Sequence, residues 1–300
     1  MADQHFDVPV DGGALHVGLW GTRGPVVLAA HGITANHVSF EALADQVKSE
    51  VRLIAPDLRG RGRSADITGP WGMSAHAKDL VCVLDHLRLP RADLLLGHSM
   101  GGFVAAVAAA EYPERFARVL LVDGGLPLMK LPPLHRLPFG NFLVEKLVNR
   151  LLGPSIARLD MTFASREAYH AYWRAHPSLK NDWSPYVERY IDYDLIGAAP
   201  ALRSCVRKGP LFEDVRTQLI EDLVPRSLKK ISAPVHFLRA PRGILNGAAL
   251  YAPQRLAKAA RPVAHFSSAT VDDVNHYTIM LGARGAGATA AEVRRLVSRA

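Results

Sequence analysis

The run LLLGHSMGGF, residues 94–103, decides how the chain is read. Bulky aliphatic residues stop at a serine set among Gly97, Gly101 and Gly102, and an alanine-rich stretch of helical character follows at once. A surface loop is more polar, and an ordinary turn does not need three glycines so close together. A serine projecting from a very tight strand-to-helix turn does need them. Its backbone is strained, and side chains two residues before and two after it collide with neighbouring chain. Gly97-His98-Ser99-Met100-Gly101 is therefore read as G-x-S-x-G in the strand–turn–helix context that gives the motif meaning. The helix predicted to start near Met100 aims its free N–H groups at the serine, where they stabilise negative charge.

The same alternation extends outward in both directions. Residues 14–20 alternate like an early, half-exposed strand, and 25–30 and 51–55 are continuous apolar runs of buried-strand type. Residues 93–96, 119–122 and 234–238 repeat that pattern, with a weaker version at 263–266. Helical stretches are predicted at 39–49, 75–87, 101–112, 248–259 and 290–297. Strands alternating with helices imply an α/β fold, a mostly parallel sheet flanked by helices. Between 126 and 230 no strand is expected. Residues 141–152 (NFLVEKLVNRLL) carry apolar side chains at helical spacing, and 165–174 and 185–193 read as short aromatic-rich helices. The organisation expected is thus a core in two parts, 1–125 and 231–300, with a helical cap inserted at 126–230.

A serine at neutral pH needs a base. His276, in TVDDVNHYTIML after the last predicted strand, is the candidate. His98 adjoins the serine at a sharp turn and diverges from it. His31 and Gly32 precede Ile33 after an earlier strand, as in a loop that supplies an oxyanion donor. The backbone N–H groups of Ile33 and Met100 are the expected oxyanion hole, with His31, Gly32 and His98 supporting the pocket. Other histidines, including His37, His76, His86, His135, His170 and His176, show no metal-ligand spacing, and neither a metal nor a cofactor is expected.

Composition narrows the function classes. The 300 residues are 49% hydrophobic and 21% charged, enough for a sizeable core. The net charge of +8 is spread along the chain with no interleaved aromatic platform, so nucleic acid is not an expected partner. No secretory signal and no run of roughly 20 apolar residues is evident, which excludes a membrane span from the reading. Cys82 and Cys205 lack any paired spacing and are expected as free thiols in a reducing compartment, hence the cytoplasm. A small molecule is the expected partner; oligomeric state is not legible.

With HG at 31–32, PDLRGRGRS at 56–64, GHSMGG at 97–102, VDGG at 122–125 and NHYTI at 275–279, the chain resembles an α/β-hydrolase over nearly its full length. The resemblance implies Ser99 as nucleophile, His276 as base, structural roles for Asp57 and Arg59, and a cap that forms the substrate pocket. The aspartate nucleophile of related dehalogenases and epoxide hydrolases is replaced here by Ser99. One departure matters. The family most often places the orienting acid just after the strand that here is 234–238, yet no Asp or Glu occurs between Asp222 and Asp272, and Asn246 stands near the usual place. Asp123, where some members carry the acid, and Asp273 are the two substitutes. Asp123 is preferred, because a partner on another strand end fixes the imidazole more rigidly.

The expected activity is hydrolysis of a carboxylic ester of a small or medium apolar substrate through an acyl-enzyme. Thioesterase, lactonase, carbon–carbon-bond hydrolase and a non-catalytic ligand-binding protein are the alternatives. The cap aromatics Phe163, Tyr169, Tyr172, Trp173, Trp183, Tyr186, Tyr190 and Tyr193 suit either cap packing or a pocket wall, and Arg203, Arg207 and Lys208 raise the idea of an acidic substrate.

Overall fold

The computed structural model describes residues 1–128, 142, 146, 153, 156–219 and 221–298. In chain order its strands are β1 (Gln4–Val10), β2 (Gly13–Trp20), β3 (Val26–Ala30), β4 (Arg52–Pro56), β5 (Leu94–His98), β6 (Val119–Val122), β7 (Leu195–Ile196), β8 (Arg203–Ser204), β9 (Val235–Arg239) and β10 (Phe266–Thr270). Eight of them form one sheet in the order β1-β2-β4-β3-β5-β6-β9-β10. The pairs β1·β2 and β2·β4 are antiparallel; from β4 through β10 every pair is parallel.

Side-chain alternation explains why the central strands read as continuous apolar runs. On β5, Leu95 packs on one face with α2 (Met73–His86) and α3 (Met100–Glu111), while Leu94 and Leu96 pack on the other with α1 (Glu41–Val47) and the helix Ala283–Val297. Both faces are covered, so neither can be polar. β3 leads to β4 on one side and β5 pairs on its other side, so the strand order reverses there. In open α/β sheets ligands bind in the crevice at that reversal, beyond the carboxyl ends of the strands.

Several expectations are corrected. An additional strand, β1, precedes the first one read; it is an exposed antiparallel edge whose burial alternates weakly. β10 lies three residues later than expected, because FSSAT is a half-exposed edge without an apolar run. The helix expected at 248–259 begins only at Pro253, whose ring suits the first turn. The last helix starts at Ala283 and not 290. The segment 126–230 does contain strands, the two-residue pair β7·β8, too short to leave a periodic signal. It also holds the helices Arg166–Arg174, Pro185–Asp194, Lys208–Leu219 and Leu223–Leu228. Val224 and Leu228 pack with α3 residues in the main core. The helix expected at 141–152 lies outside the described residues. Cys82 and Cys205 are free thiols. Among the described residues no helix is long and apolar enough to cross a membrane, and no cluster of three His, Cys, Asp or Glu could hold a metal ion.

Candidate active site

β5 ends at His98 and α3 begins at Met100, leaving Ser99 alone on the turn with φ 55° and ψ −120°. That conformation is costly for any residue with a Cβ. Close approach enforces the neighbouring glycines. A Cβ on Gly97 would lie 2.2 Å from the carbonyl oxygen of Gly101, and one on Gly101 would lie 1.9 Å from that of Ala30. The turn is pinned from the next strand, since Ser99 N–H donates to the Val122 carbonyl at 3.0 Å.

Three sequence-distant side chains meet at this turn. His276 Nε2 lies 3.0 Å from Ser99 Oγ, and His276 Nδ1 lies 2.7 Å from Asp123 Oδ2. Asp123 and His276 are both buried, His276 at 5% exposure. Asp123 stands just past β6 with φ 46°, and its other oxygen accepts the Ala240 N–H at 3.1 Å. Ala240 directly follows β9, so the strand end where an acid is usual here supplies a backbone donor that steadies an acid from the next strand. A serine, an imidazole and a buried carboxylate in this chain allow the ring to take the hydroxyl proton while the carboxylate stabilises the resulting imidazolium.

Asp273 is not part of the arrangement. Its side chain is 73% exposed, 3.9 Å from Arg284, and its carbonyl accepts from Arg242. Asn246, on the loop after β9, is hydrogen-bonded to the loop that carries the histidine. Its Oδ1 accepts from Arg242 Nε at 2.8 Å and from Asn275 Nδ2 at 3.2 Å. Asn275 in turn donates to the Ser178 carbonyl and accepts the N–H groups of Tyr277 and Thr278. The position thus braces the residue before His276 without contacting the ring.

The other expected site residues surround one cavity of about 150 Å³, lined by Gly32, Ile33, His98, Ser99, Met100, Asp123 and His276 among others. His31 sits behind it. Leu58 N–H donates to His31 Nε2 at 2.9 Å, so Nδ1 carries the ring proton and donates to the Gly32 carbonyl at 2.8 Å. The ring therefore ties the loop after β3 to the segment after β4. Gly32 lies against the nucleophile, since a Cβ there would come 3.3 Å from Ser99 Cβ. Met100 opens α3, and as the first helical residue its N–H has no intrahelical acceptor.

A residue that the sequence gave no reason to single out holds this loop. Arg61 is fully buried; its Nε donates to the Ile33 carbonyl at 2.9 Å, and Nη2 lies 3.8 Å from Met100 Sδ. The same guanidinium pairs with Asp214, which also accepts from Gly72 N–H and faces His76 Nε2 at 3.0 Å. These charged neighbours hold the Asp214 carboxyl down at about 2 against the opposing effect of burial. Arg61→Met leaves Asp214 buried without its guanidinium partner. The expected loss is about 3–5 kcal/mol of stability, measurable by urea unfolding, with reduced activity in the folded fraction because Ile33 loses its brace.

Burial pushes the imidazoles of His31 and His98 down to about 3 from 6.5. Both rings stay neutral in the fold while the unfolded chain protonates them, so the unfolded state binds more protons between pH 6.5 and 3. Stability is accordingly full above pH 6.5 and falls as acid is added through that window. In thermal melts at pH 7 and pH 5, the drop in Tm is expected to be smaller in His98→Gln than in the wild type.

The aromatic residues of 163–193 mostly pack on one another. Phe163, Tyr169, Trp173 and Tyr190 form a buried cluster with Leu179, Val187 and Ile191. Of the eight aromatics named above, Tyr190 lines the cavity. Arg207 and Lys208 are paired with Asp66 and Asp160 at the surface, and Arg203 is exposed on β8. None of the three lines the cavity, and among the described residues its wall holds no Lys or Arg. The idea of an acidic substrate drawn by these residues is corrected accordingly.

Comparison with known proteins agrees with this architecture. The profile of the alpha/beta hydrolase fold matches residues 25–202. Lipase LipV of Mycobacterium tuberculosis is 36% identical over 118 residues, 38% of this chain and 43% of that protein. The 2-(acetamidomethylene)succinate hydrolase of Mesorhizobium japonicum is 34% identical over 100 residues, 33% of this chain and 36% of that protein. The aligned stretch spans less than half the length of these curated relatives. A crystal structure of E-2-(acetamidomethylene)succinate hydrolase superposes with a TM-score of 0.77 at 23% identity, covering 98% of this chain and 100% of that one, a likeness of fold. The chain belongs to the alpha/beta hydrolase fold family.

Proposed function

We propose that the protein is a serine hydrolase acting on neutral carboxylic esters of small or medium apolar acids. One observation carries the reading: the hydrogen-bonded chain Asp123–His276–Ser99 opens into a cavity whose wall is otherwise mostly apolar. Ser99 Oγ attacks the ester carbonyl while His276 Nε2 takes its proton. The N–H groups of Ile33 and Met100 hold the oxyanion. The alcohol leaves with a proton returned by His276, and the resulting acyl-enzyme is cleaved by a water that His276 activates. Asp123 keeps the ring in the required tautomer.

The segment 126–230 acts as the cap over this centre in the proposed organisation. Support comes from Leu128, Tyr190, Val215, Gln218 and Leu219, which lie on the cavity wall together with core residues. The likeness to a lipase fits oxyester chemistry, and the absence of Lys and Arg from the described wall fits an uncharged acyl group.

The test is hydrolysis by the purified chain of p-nitrophenyl butyrate, of the anionic p-nitrophenyl hemisuccinate, and of S-butyryl thiocholine. The expected result is saturable turnover with kcat/KM highest for the butyrate oxyester. A preference for the thioester transfers the assignment to thioesterases, and a preference for the hemisuccinate removes the neutral-substrate reading. No turnover of any of them favours a non-catalytic ligand-binding protein.

A further inference from the structure

Two residues of the mostly apolar cavity wall, His98 and Gln218, each carry a buried hydrogen-bond acceptor that no described residue satisfies. The first is on His98. Its Nε2 lies 2.9 Å from the His276 carbonyl. A carbonyl can only accept, so Nε2 carries the ring proton and Nδ1 is a bare lone pair. His98 is 7% exposed, and this Nδ1 is buried without a hydrogen-bond partner among the described residues. The second is Gln218 Oε1, also buried and without a partner among them. Both residues line the cavity that holds Ser99 and His276.

Gln218 is held in place by the helix that carries it, Lys208–Leu219. One side of that helix is clamped to the core. Asp214 meets Arg61, His76 and the Gly72 N–H, and Thr217 Oγ1 accepts the Met73 N–H at 3.2 Å. Positions 215, 218 and 219, three and four apart, share another side, and all three line the cavity. Val215 and Leu219 make that stripe apolar. A third aliphatic residue between them would complete it, yet the chain carries an amide there whose carbonyl is left unmet, a costly arrangement in such a wall.

We infer that the natural substrate carries a hydrogen-bond donor, an amide N–H or a hydroxyl, on the acyl portion that lies against Gln218, and that Gln218 is a specificity-determining residue. The inference rests on the ester-hydrolase reading and narrows its substrate class. The acyl chain is apolar for most of its length, carries no charge, and bears one N–H or O–H group. A site built to accept such a hydrogen bond discriminates strongly against an analogue lacking the donor, because the acceptor is then buried unpaired. His98 Nδ1 offers a second acceptor beside the nucleophile, suited to a donor closer to the reacting carbonyl.

The experiment uses three pairs of p-nitrophenyl esters in which the N–H of an amide is replaced by CH₂ and nothing else changes. N-acetyl-β-alanine is compared with 5-oxohexanoate, N-acetyl-4-aminobutyrate with 6-oxoheptanoate, and N-acetyl-5-aminopentanoate with 7-oxooctanoate, so the donor moves along the chain. Each pair is read as a ratio of kcat/KM within one enzyme, for the wild type, Gln218→Leu and Gln218→Met. Two replacements guard against one that fails to fold, and the ratio is insensitive to the folded fraction. The wild type is expected to favour at least one amide by about tenfold or more, and that preference is expected to fall to near unity in both variants. Ratios within twofold for all three pairs in the wild type overturn the inference, as does a preference that survives in the variants. If the wild type cleaves p-nitrophenyl butyrate but none of the six esters, the inference also fails while the hydrolase reading stands. Loss of butyrate cleavage as well removes the reading beneath it.

Discussion

Ser99→Ala is expected to lower the turnover of p-nitrophenyl butyrate by about 10⁴- to 10⁶-fold, to the level left by binding and the oxyanion hole alone. The variant removes one oxygen, the atom 3.0 Å from His276 Nε2. Among the described residues of the wall, none offers a replacement nucleophile of comparable placement. Thr34 and Ser39 also line the wall, but Ser39 Oγ donates to the Asn36 carbonyl, and neither hydroxyl is hydrogen-bonded to the His276 ring. The backbone at position 99 keeps a Cβ, so the strained turn is unchanged and the protein should unfold at nearly the wild-type temperature. Wild-type turnover in this variant would show that the reaction runs elsewhere.

Asp123→Asn is expected to lower kcat by about 10⁴-fold, with Asp273→Asn within twofold of the wild type. The distances make the contrast large. Asp123 Oδ2 is 2.7 Å from His276 Nδ1 in a buried setting, where an amide can neither stabilise an imidazolium nor hold the required tautomer. The Asp273 carboxylate is exposed beside Arg284. Because the Ala240 N–H can still donate to an amide oxygen at position 123, the fold around the strand end is retained and the loss should appear in kcat more than in Tm. Equal effects of the two substitutions contradict the assignment of the acid.

The parts of the site that the sequence displayed are those enforced by local geometry. The glycines around Ser99 are visible because backbone atoms lie 1.9–2.6 Å from where their Cβ atoms would be, and no other residue type fits. His276 is legible from its place after the last parallel strand. The sequence leaves the candidate acid open between Asp123 and Asp273, because the contacts of Asp123 with His276 and the Ala240 N–H depend on how β6 aligns with β9 across the sheet, a register that spacing along the chain does not encode. Arg61 lies within the PDLRGRGRS stretch, but nothing local shows its role, and Gln218 has no local signal at all. Arg61 acts through a contact with Asp214, 153 residues away, and through the Ile33 carbonyl. Gln218 is conspicuous only once Val215 and Leu219 are known to face the cavity.

The same distinction separates the elements that were legible from those that were not. β3, β5 and β6 are buried on both faces and announce themselves as apolar runs. β1 and β10 lie at the two edges of the sheet, where half of each strand meets solvent and the apolar pattern thins out. Arg203, Arg207 and Lys208 suggested an acidic ligand because charge is visible in a sequence, whereas the neighbours that answer it, Asp66 and Asp160 for the last two, are brought to them by the fold.

Covalent capture tests most directly the proposal that Ser99 is an activated nucleophile. The protein is incubated at neutral pH with an alkyl fluorophosphonate, and the adduct is located by intact-mass measurement and peptide sequencing. One phosphonyl group per chain is expected, on the peptide containing Ser99, formed much more slowly in Asp123→Asn and not at all in Ser99→Ala. No adduct on the wild type, or one that forms equally in Ser99→Ala, contradicts it.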